Sequence, residues 1–295
     1  MAKRSLADLA AAFDQKGSSS TSSGTWKLFF PFWKAPADST SVIRFLPDLD
    51  ESNPMGFLVE NLTHTLIVNG KRETIACLKM YGEDCPVCAL SQKYYDEKDP
   101  EHNEALGKKY YRKRSYIGQA LIIETPVEHD ANQLVKLIEF GPKIFQQIQS
   151  AFKDGDLAEA PYELKGGYNF RIKKTQSGQY ADYGTSNFSP KQSDISEDVL
   201  ERIELYDLKQ FRAPKLPKQQ VEAMLLADQT GANVTSSEEG SSEEDTDTKV
   251  SRTAPARAPA PAPAPSPAVA DGEKKLSVVE QLRLRKQQRE AAGAQ

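Results

Sequence analysis

The sequence predicts a mainly β fold with peripheral helices (α+β), and three observations carry that prediction. Short segments rich in aromatic and β-branched residues recur between turn residues through the middle of the chain. Helical spacing is confined to a few brief stretches around them. Both ends have compositions that cannot build a core, and the whole chain of 295 residues is only 38% hydrophobic, with a mean hydropathy of −0.60. One folded unit at 25–227, between an arm and linker at 1–24 and a tail at 228–295, accommodates all three.

Residues 2–14 read as a short amphipathic helix: Ser5 stands at the N-cap with Asp8 three residues on, and Leu6, Leu9, Ala10 and Phe13 share a face. Residues 17–24 are almost entirely Ser, Thr and Gly, a flexible linker composition. Strands are expected at Trp26–Phe32, Ser41–Leu46, Gly56–Leu62, Tyr116–Glu124, Leu134–Phe140 and Tyr168–Lys173. Asn69-Gly70 is a hairpin signal between THTLIV and KRETIAC, which brings His64 back towards Cys77. Helical spacing appears in Lys143–Phe152, around Val199, Leu200 and Ile203, and around Val221, Met224 and Leu225. Phe29, Phe30, Phe32, Phe45, Phe140 and Phe145 have apolar neighbours and read as core. Five or six strands with peripheral helices fit a small barrel, of which the five-stranded OB barrel is the oligonucleotide-binding version.

Beyond residue 228 an acidic stretch, Glu238–Asp247, precedes the run APARAPAPAPAPSPAVA, expected to be extended and polyproline-like. The last segment, LSVVEQLRLRKQQREAA, regains order signals. Ser277 and Glu280 have capping-box spacing, Leu276, Val279 and Leu282 form a stripe, and Arg283, Arg285, Lys286 and Arg289 supply charge, as in a tethered peptide for a partner.

Lys+Arg 38 against Asp+Glu 42 gives a net charge of −4, which taken as an average disfavours a polyanion ligand. The distribution reverses that argument, because positive charge gathers at Lys3-Arg4, at Lys108-Lys109 with Arg112-Lys113-Arg114, and at Arg171, Lys173 and Lys174. No apolar run has the length of a membrane span and MAKRSLADLAAAF lacks a secretory pattern, so a soluble intracellular protein is expected.

Three cysteines within Cys77–Cys88 do not make a disulfide framework. Cys77, Cys85 and Cys88, with the pair CPVC, and His64 across the hairpin offer four donors for a tetrahedral zinc. A thioredoxin-like redox pair is the competing reading, and needs C-x-x-C opening a helix after a strand in a βαβ unit; YGEDCPVCAL reads instead as following a loop. Three unrelated reduced cysteines are the third. Zinc held by four protein ligands would be structural. His102 and His129, in EHNE and VEHD, read as solvated.

Tyr94, Tyr95, Tyr110, Tyr111 and Tyr116 interleave with Lys108, Lys109, Arg112, Lys113 and Arg114. Flat rings for unstacked bases and cations for phosphates are what a single-strand groove requires, although core packing and a solvated charged face are the plainer alternatives. A weaker cluster joins Arg171, Lys173, Lys174, Tyr180 and Tyr183. No nucleophile elbow, Walker loop or HExxH is present, so no enzyme is needed to explain the sequence.

Through KRSLADLAAAF, GTWKL, SVIRFLP, His64 and Cys77 with CPVC, RKRSY, FGPKIF and NFRIKK leading to SGQYADY, residues 1–225 resemble the T4-type phage single-stranded DNA-binding, helix-destabilising replication proteins. The resemblance implies a five-stranded OB-type barrel with an inserted zinc-binding subdomain near 60–115, and one structural zinc on His64, Cys77, Cys85 and Cys88. It implies that Lys3-Arg4-Ser5 mediates cooperative contact between neighbouring protomers, with Arg112-Lys113-Arg114-Ser115 as an internal echo. Tyr81, Tyr111, Tyr116, Tyr180 and Tyr183 fall at or near positions lining the DNA cleft, and Arg44 in VIRFLP is a further phosphate contact. The implied function is sequence-independent, cooperative binding of single-stranded DNA for replication, recombination and repair, in the cytoplasm of an infected bacterium. The tail would compete with DNA and recruit replication proteins such as a polymerase, helicase loader or primase.

Overall fold

The computed structural model describes residues 26–231 and 278–292. Its centre is an antiparallel sheet of eight strands: β1 (Ser39–Leu46), β2 (Leu58–Val68), β3 (Lys71–Ala76), β4 (Lys113–Glu124), β5 (Val135–Phe140), β6 (Gly167–Ser177), β7 (Tyr180–Asp182) and β8 (Asn187–Ser193). The order is β3-β2-β4-β1-β6-β7, with β5 on β4 and β8 on β6. Around it lie α1 (Pro86–Tyr95), α2 (Glu104–Tyr110), α3 (Pro142–Lys153), α4 (Glu197–Leu200), α5 (Lys218–Thr230) and α6 (Val278–Ala292).

The mainly β class stands; the sheet has eight strands rather than five, and no pairing among the described strands closes it into a barrel. The reason lies in the long strands. β4 meets β2 through Lys113–Gly118 and β1 through Gln119–Glu124 on one edge, while Tyr116–Leu121 pairs with β5 on the other. Where three strands converge on β4, a Cβ on Gly118 would stand 2.7 Å from Leu58 Cδ2 and 3.2 Å from the Phe57 carbonyl, so only glycine fits.

The expected strand at Trp26–Phe32 is also corrected. Trp26–Leu28 and Phe32–Lys34 are 3₁₀ turns, and Phe29 makes only an isolated bridge to Leu137. Pro31 lacks the N–H a strand would use there. Phe30 and Phe32 nevertheless enter the core, beside Phe45, Phe140, Phe170 and Phe188.

The Asn69-Gly70 signal forms its hairpin. Both residues are left-handed, at φ 52° and 73°, as a type I′ turn requires. The register sets His64 opposite Ile75 and Thr63 opposite Ala76, which leaves Cys77 one residue past the ladder.

Lys3, Arg4 and Ser5, the Ser/Gly linker, the Glu238–Asp247 stretch and the Ala-Pro run lie outside the described residues. The terminal stripe does form a helix, α6. Val279 is buried, and Leu282 packs on the apolar cluster of Leu46, Leu121, Val135, Leu164, Ile195 and Leu200. Arg285 pairs with Glu197 and Arg283 lies 3.6 Å from Glu51. α5 continues to Thr230, three residues beyond the boundary at 227.

Candidate metal centre and nucleic-acid interface

Three elements bring the four donors together. β2 supplies His64, the end of β3 leads into Cys77, and Cys85 caps α1, whose first turn carries Cys88. The Cys77 N–H donates to the Leu62 carbonyl at 2.8 Å, fixing that corner to β2. The donor atoms of His64, Cys77, Cys85 and Cys88 all lie within 4.8 Å of one another. Cys77 Sγ is 3.4 Å from Cys88 Sγ, and His64 Nε2 is 3.4 Å from Cys88 Sγ and 3.5 Å from Cys85 Sγ. Those separations match the edges of a tetrahedron with bonds of about 2.0–2.3 Å. The other imidazole nitrogen, Nδ1, is 3.0 Å from the Tyr110 carbonyl, the backbone acceptor that orients a ligand histidine.

Burial disfavours charge on His64, but hydrogen bonds with Cys77 and Cys85 outweigh it and raise the group to about 9. Hydrogen bonds from Cys77 and Cys88 hold the Cys85 thiol far below its usual range. Such a donor set gives up protons to a divalent cation. The cluster can therefore hold a metal ion. CPVC follows a loop, as the sequence suggests, and opens α1, a helix start that a redox pair would share. The setting differs, since every strand pairing is antiparallel and a third cysteine and a histidine complete the cluster.

The residues expected to touch nucleic acid divide into two groups. Several are consumed inside the fold. Arg44 is 1% exposed, and its guanidinium donates to Asn169 and Ser193 and to the carbonyls of Glu163 and Ser193. Burial lowers its pKa to about 10, against the attraction of Asp194. No phosphate can reach it. Tyr116 is buried, with its ring stacked on Phe145 at 3.7 Å and 5°. Tyr110 is buried beside Tyr94, and its hydroxyl donates to Asp228 at 2.6 Å. Lys109 pairs with the same carboxylate at 2.6 Å, and Lys174 Nζ caps the carbonyls of Trp33 and Ala35.

The second group faces solvent. Tyr95 and Tyr111 are 42% and 57% exposed and meet edge to face at 6.2 Å. Lys108 and Lys113 are exposed nearby in the chain, Arg112 is half-buried, and Arg114 is held 3.0 Å from Glu60. Tyr81 is exposed under Lys215. On the β6–β7 hairpin Tyr180 is 79% exposed, Lys173 and Arg171 are half-buried, and Tyr183 leans edge-on to Phe32.

A cleft of about 940 Å³ lies between the two clusters. Ser115 and Glu139 wall it on the β4–β5 side and Tyr183 on the hairpin side. Sequence reasoning missed its other wall, Trp33 and Lys34, because the strand expected at Trp26–Phe32 stops short of them; Pro31 was the signal that the segment turns.

The model for gp32-like DNA-binding proteins matches residues 37–241, which takes in the His/Cys cluster and the Ser115, Glu139 and Tyr183 sides of the cleft, while the Trp33–Lys34 wall lies before the matched residues. The chain belongs to that family. No curated protein matches the chain. For a gp32-like protein, single-stranded DNA is the partner that the family supports, and no helix of the described residues is long and apolar enough to cross a membrane.

Proposed function

We propose that this gp32-like protein binds single-stranded DNA without sequence preference, cooperatively, and organises it for phage replication, recombination and repair in the infected host's cytoplasm. The observation that carries the reading is the exposed Tyr95–Tyr111 pair beside Lys108, Arg112 and Lys113, in a chain of a DNA-binding family. Rings stack on bases and cations meet phosphates. A duplex, whose bases are already stacked, offers the cations but not the rings their ligand. Tyr81, Tyr180, Tyr183, Arg114, Arg171 and Lys173 extend the contact surface. Arg44, Tyr110 and Tyr116 support it from within, and Lys109 and Lys174 through their pairings nearer the surface.

One zinc on His64, Cys77, Cys85 and Cys88 would hold β2, β3 and α1 together and contribute folding energy. In this reading β1, β2, β4, β5 and β6 make a partly open OB-type core. Lys3-Arg4-Ser5 links protomers, Glu238–Asp247 competes with DNA for the cations, and the segment 276–289 engages a replication protein. Because Asp228 is part of the fold, the tail begins after residue 231.

The test is anisotropy of labelled oligo(dT) against duplex of equal length over a salt series, with zinc-loaded protein. Tight single-strand binding that weakens steeply with salt is expected. Equal affinity for duplex, or no binding by protein cut after 231, overturns the reading.

A further inference from the structure

Trp33 is 51% exposed although Phe30 and Phe32 beside it are 0% and 6% exposed. Two aromatic anchors thus pin a short segment and leave the third ring out, a costly display for the largest apolar side chain. The segment that carries the ring is anchored. Phe32 meets the ring edge to face at 5.8 Å and meets Tyr183 at 5.4 Å. Lys174 Nζ donates to the carbonyls of Trp33 at 2.7 Å and Ala35 at 2.6 Å, which fixes the turn from both ends. A platform whose backbone is fixed before binding loses less entropy when a ligand arrives.

The rest of the cleft has complementary chemistry. Its β4–β5 wall carries Glu139, an exposed residue whose carboxylate accepts from the Ser115 hydroxyl at 2.6 Å and from Asn61 Nδ2 at 3.4 Å. Its rim carries Lys34, exposed, and Lys143, which is 2.7 Å from Asp182. Ser115 and Lys113 lie on the same face of β4, since strand side chains alternate, so the cleft is continuous with the basic run. Flat aromatic surface, one anionic acceptor on the wall and a cation at the mouth fit a flat ring that bears N–H donors and is joined to an anion.

We propose that this cleft is a nucleobase subsite. One unpaired base stacks on Trp33, turns an N–H of its pairing edge to the Glu139 carboxylate, and leaves its phosphate at Lys34. Every base has such a donor on its pairing edge, so the site tolerates sequence. In a duplex that edge is occupied by the opposite strand, so Glu139 takes the place of a pairing partner and selects unpaired DNA. The inference rests on the single-strand reading above and adds to it a defined base contact and a cause for the preference over duplex.

The chain has two tryptophans, so Trp26→Phe leaves Trp33 as the sole indole emitter. Full-length, zinc-loaded Trp26→Phe protein is titrated with unlabelled oligo(dT) for emission, and with labelled oligo(dT) for anisotropy in parallel. Quenching of Trp33 that saturates at the anisotropy stoichiometry is expected. Trp33→Ala should weaken binding about tenfold to a hundredfold at an unchanged melting temperature. Glu139→Gln should narrow the ratio of single-strand to duplex affinity. Binding by anisotropy with unchanged Trp33 emission, or a Trp33→Ala protein of native affinity, overturns the subsite and leaves DNA binding intact. No anisotropy change at all overturns the underlying reading instead. Should Trp26→Phe fail to fold, 5-fluorotryptophan in the native sequence gives two resonances. The one absent in Trp33→Phe must shift on adding oligo(dT), and its failure to move counts against the proposal.

Discussion

Replacing Asp228 tests how much one carboxylate adds to the apolar packing of Val221, Met224, Leu225 and Ala227 that seats α5 against the His/Cys region. The Asp228 side chain has no exposed surface and accepts from Lys109 Nζ, the Tyr110 hydroxyl and the Ile67 N–H, each at 2.6 Å. Tyr110 in turn presents its carbonyl to His64, so the carboxylate lies two links from the metal donors. Hydrogen bonds to a charged group contribute about 1.5–3 kcal/mol each when isolated, and they share one acceptor here. Lys109 is partly exposed and regains water when released, so Asp228→Ala should cost about 2–4 kcal/mol, and Asp228→Asn about half of that. Urea unfolding of zinc-loaded proteins at neutral pH measures it. Acidification supplies an independent check. Burial opposes ionisation of Asp228, but Lys109, Tyr110 and the Ile67 N–H outweigh it and depress its pKa. A depressed carboxylate contributes its stability above the ordinary carboxylate range and loses it as the pH falls through its lowered value. The gap between the native protein and Asp228→Asn should therefore close in acid, while both lose the metal cluster alike. A loss under about 0.5 kcal/mol for Asp228→Ala, within the range of ordinary surface substitutions, would refute that contribution.

Other consequences follow from the same geometry. Chelation, or Cys88→Ser, should lower the melting temperature and remove one zinc per chain by elemental analysis; an unchanged melt would argue against a structural metal. Arg44→Ala should cost about 3–5 kcal/mol by stranding its buried partners, with the affinity of the folded fraction for oligo(dT) preserved. Tyr111→Ala should weaken oligo(dT) binding about fivefold or more at constant stability, whereas Tyr110→Phe should lower stability and leave affinity alone. Leu282→Asp should raise hydrogen exchange across α6, read by mass spectrometry, and equal protection would show that its apolar contact with the core is not what holds it.

Much of the sheet was legible because its strands announce themselves chemically. The Asn69-Gly70 turn and the aromatic and β-branched runs of β1, β4, β5 and β6 need no partner to be recognised. What failed depended on tertiary context. FFPFWK has strand composition, yet Pro31 breaks its ladder and the segment turns instead. α1 and α2 were missed because the run was read for its tyrosines and charges alone, although Leu106 and Tyr110 are spaced as one helix face. The His64, Cys77, Cys85 and Cys88 cluster was readable from cysteine spacing and the hairpin signal. The tyrosines were not, because Tyr110 and Tyr111 are neighbours in sequence and opposites in exposure, at 3% and 57%. Charge runs misled for a related reason: Asp228, more than a hundred residues away, claims Lys109.

The strand β1 has both of its neighbours downstream, β4 at Lys113–Glu124 and β6 at Gly167–Ser177. On a ribosome, where the chain emerges from its N-terminus, β1 must wait unpaired until β4 has been made and cannot gain its second edge until β6 follows. The β2–β3 hairpin, with its register set by two adjacent residues, can form long before then. Synthesis therefore imposes an order in which the corner that holds the His/Cys cluster is assembled first and the sheet around β1 is completed last.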